Sequence, residues 1–237
     1  MLSFSDIVGL CIALTIIGLW LSHLGIMLSV DLFNTPPLLL ISAAAFQAFL
    51  NTGLFITAHD AIHGLVYPQN QNINTFLGTI CATSYAFLSY EMLSKKHWLH
   101  HLYPGSEADP DFHKENASFP IWYFHFIRQY WGWKQFLQLA SIIALLDFVF
   151  RFSPINLLLF WAFPLLLSSM QLFYFGTYRP HHHIGKDYDL TCCSESYTLP
   201  WLISFLACYH FGYHKEHHTH PNVPWWRLPA IHKTQQN

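Results

Sequence analysis

Charge is the scarcest feature of this sequence. Lys, Arg, Asp and Glu together make up 10% of its 237 residues, whereas a soluble domain carries about 25%. So little charge cannot cover a water-facing surface, which argues against a soluble globular enzyme and against a disordered chain. The 11 Lys and Arg are offset by 13 Asp and Glu, so there is no basic excess with which to bind nucleic acid. No C-x-x-C pair occurs among the five Cys, and nothing resembles a disulfide framework. Cys11, Cys81 and Cys208 lie in apolar stretches and read as small buried hydrophobes, while the adjacent Cys192 and Cys193 fit no pattern. No Lys or Arg precedes the first apolar run. That run is also too long for a secretory leader, so it reads as a retained span. Internal repeats and low-complexity tracts are absent as well.

What the sequence has in quantity is apolar length. Hydrophobic residues make up 53% and aromatics 18%. Four segments, roughly 7–30, 36–58, 133–152 and 155–178, are long enough to cross a bilayer, which takes about 20 residues. Two weaker segments, roughly 75–93 and 197–213, are rich in aromatics and small polar residues. Pairing the four strong segments as two hairpins leaves only Arg151 in their far turns. Lys95, Lys96, Lys114, Arg128, Lys134, Arg179, Lys186, Lys215, Arg227 and Lys233 all fall on the opposite side. The excess of Lys and Arg marks that side as cytoplasmic and places both termini there. Trp122, Trp131, Trp133, Trp225 and Trp226 fall near span ends, where an aromatic belt is expected. The acidic, turn-rich stretch 102–118 reads as an exposed loop, with Asp109 and Asp111 as loop charges.

The second abundance is histidine, at 17 residues. His is costly among lipid tails unless it meets a cavity, a partner or a metal. His59 and His63 form H-x-x-x-H. His97, His100 and His101 form H-x-x-H-H, and so do His214, His217 and His218. His181, His182 and His183 follow the fourth span. On a helix, residues at i, i+3 and i+4 share one face, so each box aims its imidazoles in one direction, as converging metal ligands must. His23, His125 and His232 stand alone and read as ordinary hydrogen-bonded residues.

Topology adds a constraint. Only residues 64–96, 33 in all, separate His63 from His97, too few for two crossings. If the boxes share a site, 75–93 lies in the interface or re-enters, and 197–213 does not cross either. Every cluster then meets at the cytoplasmic edge of a four-helix bundle. The predicted architecture is a single all-α integral membrane domain over 1–237, with four transmembrane helices plus interfacial or re-entrant helices. Eight or more His are too many for one ion. H-E-x-x-H is absent, which disfavours zinc hydrolysis, and haem leaves most of the boxes idle. Two irons activating O₂ beside a lipid-soluble substrate use the whole set.

These boxes resemble those of the membrane-bound fatty-acid desaturase and hydroxylase superfamily. The segments 55–64 (Phe-Ile-Thr-Ala-His-Asp-Ala-Ile-His-Gly), 175–181 (Phe-Gly-Thr-Tyr-Arg-Pro-His), 210–218 and 220–229 (ending Pro-Trp-Trp-Arg-Leu-Pro) are similar to the bacterial β-carotene ketolases within it. The resemblance implies a non-haem di-iron enzyme that uses O₂ and an external reductant such as ferredoxin. It would introduce keto groups at ring C4 of β-carotene, passing through echinenone to canthaxanthin. Carried over by position, the ligands are His59, His63, His97, His100, His101, His214, His217 and His218. His181 is the expected ninth, with His182 and His183 as alternatives because Arg179 stands where members commonly carry Leu, and with His210, one turn before His214, as the next candidate. Asp60, between two ligands, is expected to orient a ligand imidazole. A carotenoid 3-hydroxylase, a fatty-acyl desaturase or hydroxylase, and a His-rich metal transporter are the rival readings.

Overall fold

A computed structural model describes residues 4–113, 118–181 and 194–235, with side chains from residue 7 onward. His182, His183, Cys192 and Cys193 lie outside the described residues. All regular structure among the described residues is helical. Helices α1 (Phe4–Leu28), α2 (Pro37–Ile62), α3 (Gln71–Ala86), α4 (Tyr90–Leu102), α5 (Phe119–Tyr130) and α6 (Trp133–Phe150) are followed by α7 (Pro154–His181). Two short helices, Trp201–Cys208 and His214–Thr219, lead to a last one, Leu228–Gln235. Four of these, Ile7–Leu28, Pro37–Ile62, Trp133–Phe150 and Pro154–His181, are long and apolar enough to cross a membrane. They coincide with the four strong apolar segments of the sequence.

Local chemistry sets the turns. Asp31 closes the α1–α2 turn by accepting from the Phe33 N–H at 2.9 Å and the Asn34 N–H at 3.3 Å, an Asx turn. Pro37 then opens α2, where a missing N–H costs nothing. Asn70 caps α3 through the Asn72 N–H at 2.9 Å. Phe87, left-handed at φ 55°, ends α3 and reverses the chain. Ser89 caps α4 through the Met92 N–H at 3.3 Å. The ring of Tyr85, near the end of α3, meets Phe55 at 5.5 Å. The α3–α4 hairpin therefore turns back about two helical turns, or ~11 Å, from the end of α2. It re-enters without crossing, as the spacing of the boxes requires. In 197–213 the only helix, Trp201–Cys208, is about 12 Å long and cannot cross.

α2 is the hub and packs against α1, α3 and α7. Lipid offers no hydrophobic drive between helices, so polar side chains and close contacts hold them together. Trp20 Nε1 donates to Asn51 Oδ1 at 2.6 Å. Thr52 Oγ1 donates to Gln171 Oε1 at 2.6 Å, with Ser168 Oγ 2.8 Å away. Asn156 Nδ2 reaches the carbonyls of Met27 and Val30 at 3.1 and 2.8 Å. Ala44, Ala48 and Gly53 let the backbones approach. α7 holds two π turns, Leu158–Ala162 and Tyr174–Tyr178, each ending two residues before a proline (Pro164, Pro180). Proline has no N–H and its ring clashes with the carbonyl four residues back. The wider turns absorb that misfit and shift the face α7 presents afterwards.

Two expectations need correction. The four spans do not form a uniform bundle: α6 contributes no buried residue, and a cavity separates it from α7. The aromatic belt is also incomplete. Trp133 is 80% exposed, but Trp122 and Trp225 are buried. Trp122 Nε1 donates to the Asp111 carbonyl at 2.8 Å, and Trp225 packs on Phe205 and Tyr209. Both residues brace the site. Of the cysteines, Cys81 and Cys208 are buried as expected, whereas Cys11 is exposed on α1.

Candidate metal centre

The three boxes and His181 arrive from four directions. His59 lies in the last turn of α2 and His63 caps it. His97, His100 and His101 lie on one side of α4. His181 closes α7 just after its second π turn. His214, His217 and His218 share a single short helix. Gly176 permits that helix to come close, since a Cβ there would lie 2.2 Å from the Phe211 ring.

The imidazoles form two groups. His59, His63, His97 and His217 make one, and His100, His181, His214 and His218 the other. In the first, Nε2 atoms of His63 and His97 are 2.7 Å apart and those of His59 and His217 3.1 Å. His101 Nε2 adds to this group at 2.9 Å from His217, while its ring stacks on His218 at 4.3 Å. In the second, His214 Nε2 lies 3.3, 3.1 and 3.0 Å from the Nε2 atoms of His100, His181 and His218. One N–H cannot serve three such neighbours. A metal about 2.0–2.1 Å from each nitrogen spaces its ligands ~2.9 Å apart at right angles and ~3.4 Å in a tetrahedron. The donor set therefore fits an ion in each group.

Protonation agrees with that fit. Burial, reinforced by the neighbouring imidazoles, holds His97, His214, His217 and His218 well below the usual His pKa. Burial alone lowers His63 to about 4, and His101 is brought to about 3 by burial and nearby imidazoles. A metal binds the neutral form, so these rings are ready ligands near neutral pH. His100 is the exception. Burial opposes its charged form, yet the hydrogen bond and charge of Asp109 raise its pKa.

Asp109 is the residue that sequence reasoning missed. Taken for a loop charge, it is 5% exposed, because the loop folds back over α4. Its Oδ1 and Oδ2 accept from His100 Nδ1 at 3.0 and 2.9 Å, and it takes the N–H of Gly105 and of Asp111 at 2.9 Å each. Those donors outweigh its burial and lower its pKa. With Nδ1 so engaged, His100 directs a bare Nε2 at its group. Asp111 also belongs to the site: it accepts from the Tyr130 hydroxyl at 2.5 Å, and burial pushes its pKa up to about 6. The only advance signal was an Asp-Pro-Asp shortly after the second box.

Asp60 sits as a ligand-orienting carboxylate would, with Oδ1 3.3 Å from His59 Nδ1 and Oδ2 accepting the Trp225 N–H at 3.3 Å. His210 turns away from both groups. It is buried against Trp201 and Trp225, with Nδ1 3.0 Å from Ser204 Oγ. His232 is tied to the third box, its Nδ1 2.7 Å from Glu216 Oε1. His23 bonds Gln47, and His125 faces His113.

Beside the groups lies a cavity of about 690 Å³ between α5, α6 and α7. Its walls are mainly apolar, and His59, His97, His100 and His214 close one end.

With that geometry described, the chain can be set beside known sequences. The fatty acid desaturase family model matches residues 34–156 and 131–236. The β-carotene ketolase of Haematococcus lacustris is 38% identical over 95% of this chain and 79% of its own length. That of Paracoccus sp. strain PC1 is 37% identical over 84% of this chain and 81% of its own. The β-carotene 4-ketolase of Protosiphon botryoides is 37% identical over 85% of this chain. This chain spans about half the length of that relative, 53%. The chain belongs to the fatty acid desaturase family, in the branch of these ketolases.

Proposed function

We propose that this chain is an O₂-dependent, di-iron carotenoid oxygenase that converts the ring C4 methylene of β-carotene to a ketone. The observation that carries this reading is the long apolar cavity ending on both histidine groups. The names of the relatives supply the substrate class. His59, His63, His97, His101 and His217 would hold one iron, and His100, His181, His214 and His218 the other. Iron held there would supply an oxidant able to break an unactivated C–H bond.

The protein's own part is threefold. Asp60 and Asp109 orient imidazoles from behind. The apolar wall excludes water from the reacting ring and selects a lipid-soluble substrate. Tyr130 and Asp111, both lining the cavity, brace its histidine end beside His100. Each round consumes one O₂, two electrons and two protons and yields one hydroxyl and one water. A second hydroxylation at the same carbon gives a gem-diol, which loses water to leave the ketone. Repeating this on the other ring leads through echinenone to canthaxanthin. The electrons come from an external donor of the ferredoxin class. The excess of Lys and Arg on the histidine side orients that side and both termini to the cytoplasm.

Expression in a bacterium that makes β-carotene tests the reading. The expected result is orange-red ketocarotenoids, with about two tightly held irons per chain in the purified protein. Accumulation of 3-hydroxy products alone overturns the ketolase assignment, and loosely exchanging zinc favours transport.

A further inference from the structure

The cavity is as long as a membrane is thick. On α7 its lining runs from Gly176 and Thr177, next to the histidines, to Leu158 and Pro154 at the opposite end. That is about 23 residues, or ~34 Å of helix at 1.5 Å per residue, close to the ~30 Å hydrocarbon layer. On α6 the lining residues Phe136, Leu139, Ala140, Ile143, Ala144 and Asp147 recur at steps of three and one. They form a single stripe facing the cavity over three turns. The last of them, at the end far from the histidines, is a carboxylate.

A charged side chain in a span is costly and marks function by default. The cavity wall carries two carboxylates, Asp111 and Asp147. Asp111 is engaged by Tyr130. The Asp147 side chain has no hydrogen bond or ion pair to any described residue. Arg151, one turn on, stacks instead on Phe148 at 5.9 Å. The free carboxyl therefore stands where the cavity would receive the end of a rod-shaped molecule whose other end lies at the metals. On the carotenoid-oxygenase reading, on which this inference rests, that end is the ring not being oxidised.

We propose that Asp147 is a specificity-determining residue that accepts a hydrogen bond from a hydroxyl on the distal ring, favouring binding with a hydroxylated ring at the far end. A carboxyl oxygen accepts such a bond whether ionised or protonated. The residue thus distinguishes a hydroxylated distal ring from an unsubstituted one.

A carotene hydroxylated on one ring only provides the test, because its two binding orientations compete within one molecule. The wild-type chain is expected to ketolate mainly the unsubstituted ring, since the hydroxylated ring then sits at Asp147. Asp147→Leu is expected to lower that ratio of products about tenfold, the worth of one hydrogen bond at the upper end of the ordinary range. Asp147→Asn, which keeps a carbonyl acceptor, should fall between. The product ratio does not depend on how much variant folds. An unchanged ratio in Asp147→Leu overturns the proposal. A wild-type chain that ketolates no carotenoid overturns the underlying reading, and this inference with it. Affinity of the iron-free protein for the mono-hydroxylated carotene against β-carotene, read by tryptophan quenching, gives a readout independent of turnover. There too the wild-type preference should fall about tenfold in Asp147→Leu, and equal preference overturns the assignment.

Discussion

A histidine becomes a metal ligand through its surroundings. His97 and His217 are buried, kept neutral and set among three or more other imidazoles. His97→Ala or His217→Ala should lose bound iron and at least 100-fold of activity, checked by metal analysis and product formation. Full turnover in the His217 variant would remove that residue from the site. His23 is a contrast. It shares a 2.5 Å hydrogen bond with buried Gln47, so His23→Ala should keep its iron and most activity. It should lose about 1–3 kcal/mol of stability by leaving Gln47 without that partner, visible in thermal unfolding. Asp109→Asn keeps the size of the side chain but removes the charge behind His100. Iron affinity should fall about 10–100-fold, while the metal-free protein melts near the wild-type temperature. A parallel fall in melting temperature would make Asp109 merely structural.

At the scale of elements, the α3–α4 hairpin and α7 deliver ligands by different devices. The hairpin depends on close contact: a Cβ at Gly78 would lie 2.2 Å from the Tyr90 ring. Gly78→Ala should therefore push α4 away from α3 and cost about 1–3 kcal/mol by overpacking. It should also reduce iron content, because α4 carries His97, His100 and His101. Unaltered iron and melting temperature would show that the hairpin tolerates the shift. α7 instead uses a π turn placed before Pro180, which sets the direction of His181. That turn was not legible as such: the sequence shows a proline near the end of an apolar run, which equally well ends the helix.

At the scale of the whole molecule, the cavity joins the spans to the site. Ala144 lies mid-stripe on α6. Ala144→Trp should block a membrane-length substrate, cutting ketocarotenoid output at least tenfold while iron content stays at the wild-type level. Equal output would place the substrate elsewhere. The four spans were legible because a long apolar run is a local property. So was the direction of each box, because i, i+3 and i+4 spacing is local to one helix. The failure of 75–93 to cross followed from the chain length between the first two boxes, and that of 197–213 from the condition that the third box shares their site. Other features carry no local signature. Which imidazoles group together, why His210 faces Ser204 and not the metals, and how Asp109 comes to lie behind His100 all depend on packing between distant segments. The same holds for α6 standing apart from the bundle, since its apolar sequence suits lipid, a cavity and a helix neighbour equally. The sequence by itself determined the membrane class, the spans and the ligand-bearing faces, because each is written within one or two helical turns or one apolar run. Only the tertiary structure decided the partition into two metal-ready groups, their supporting carboxylates and the cavity, because those arise where helices far apart in the chain meet.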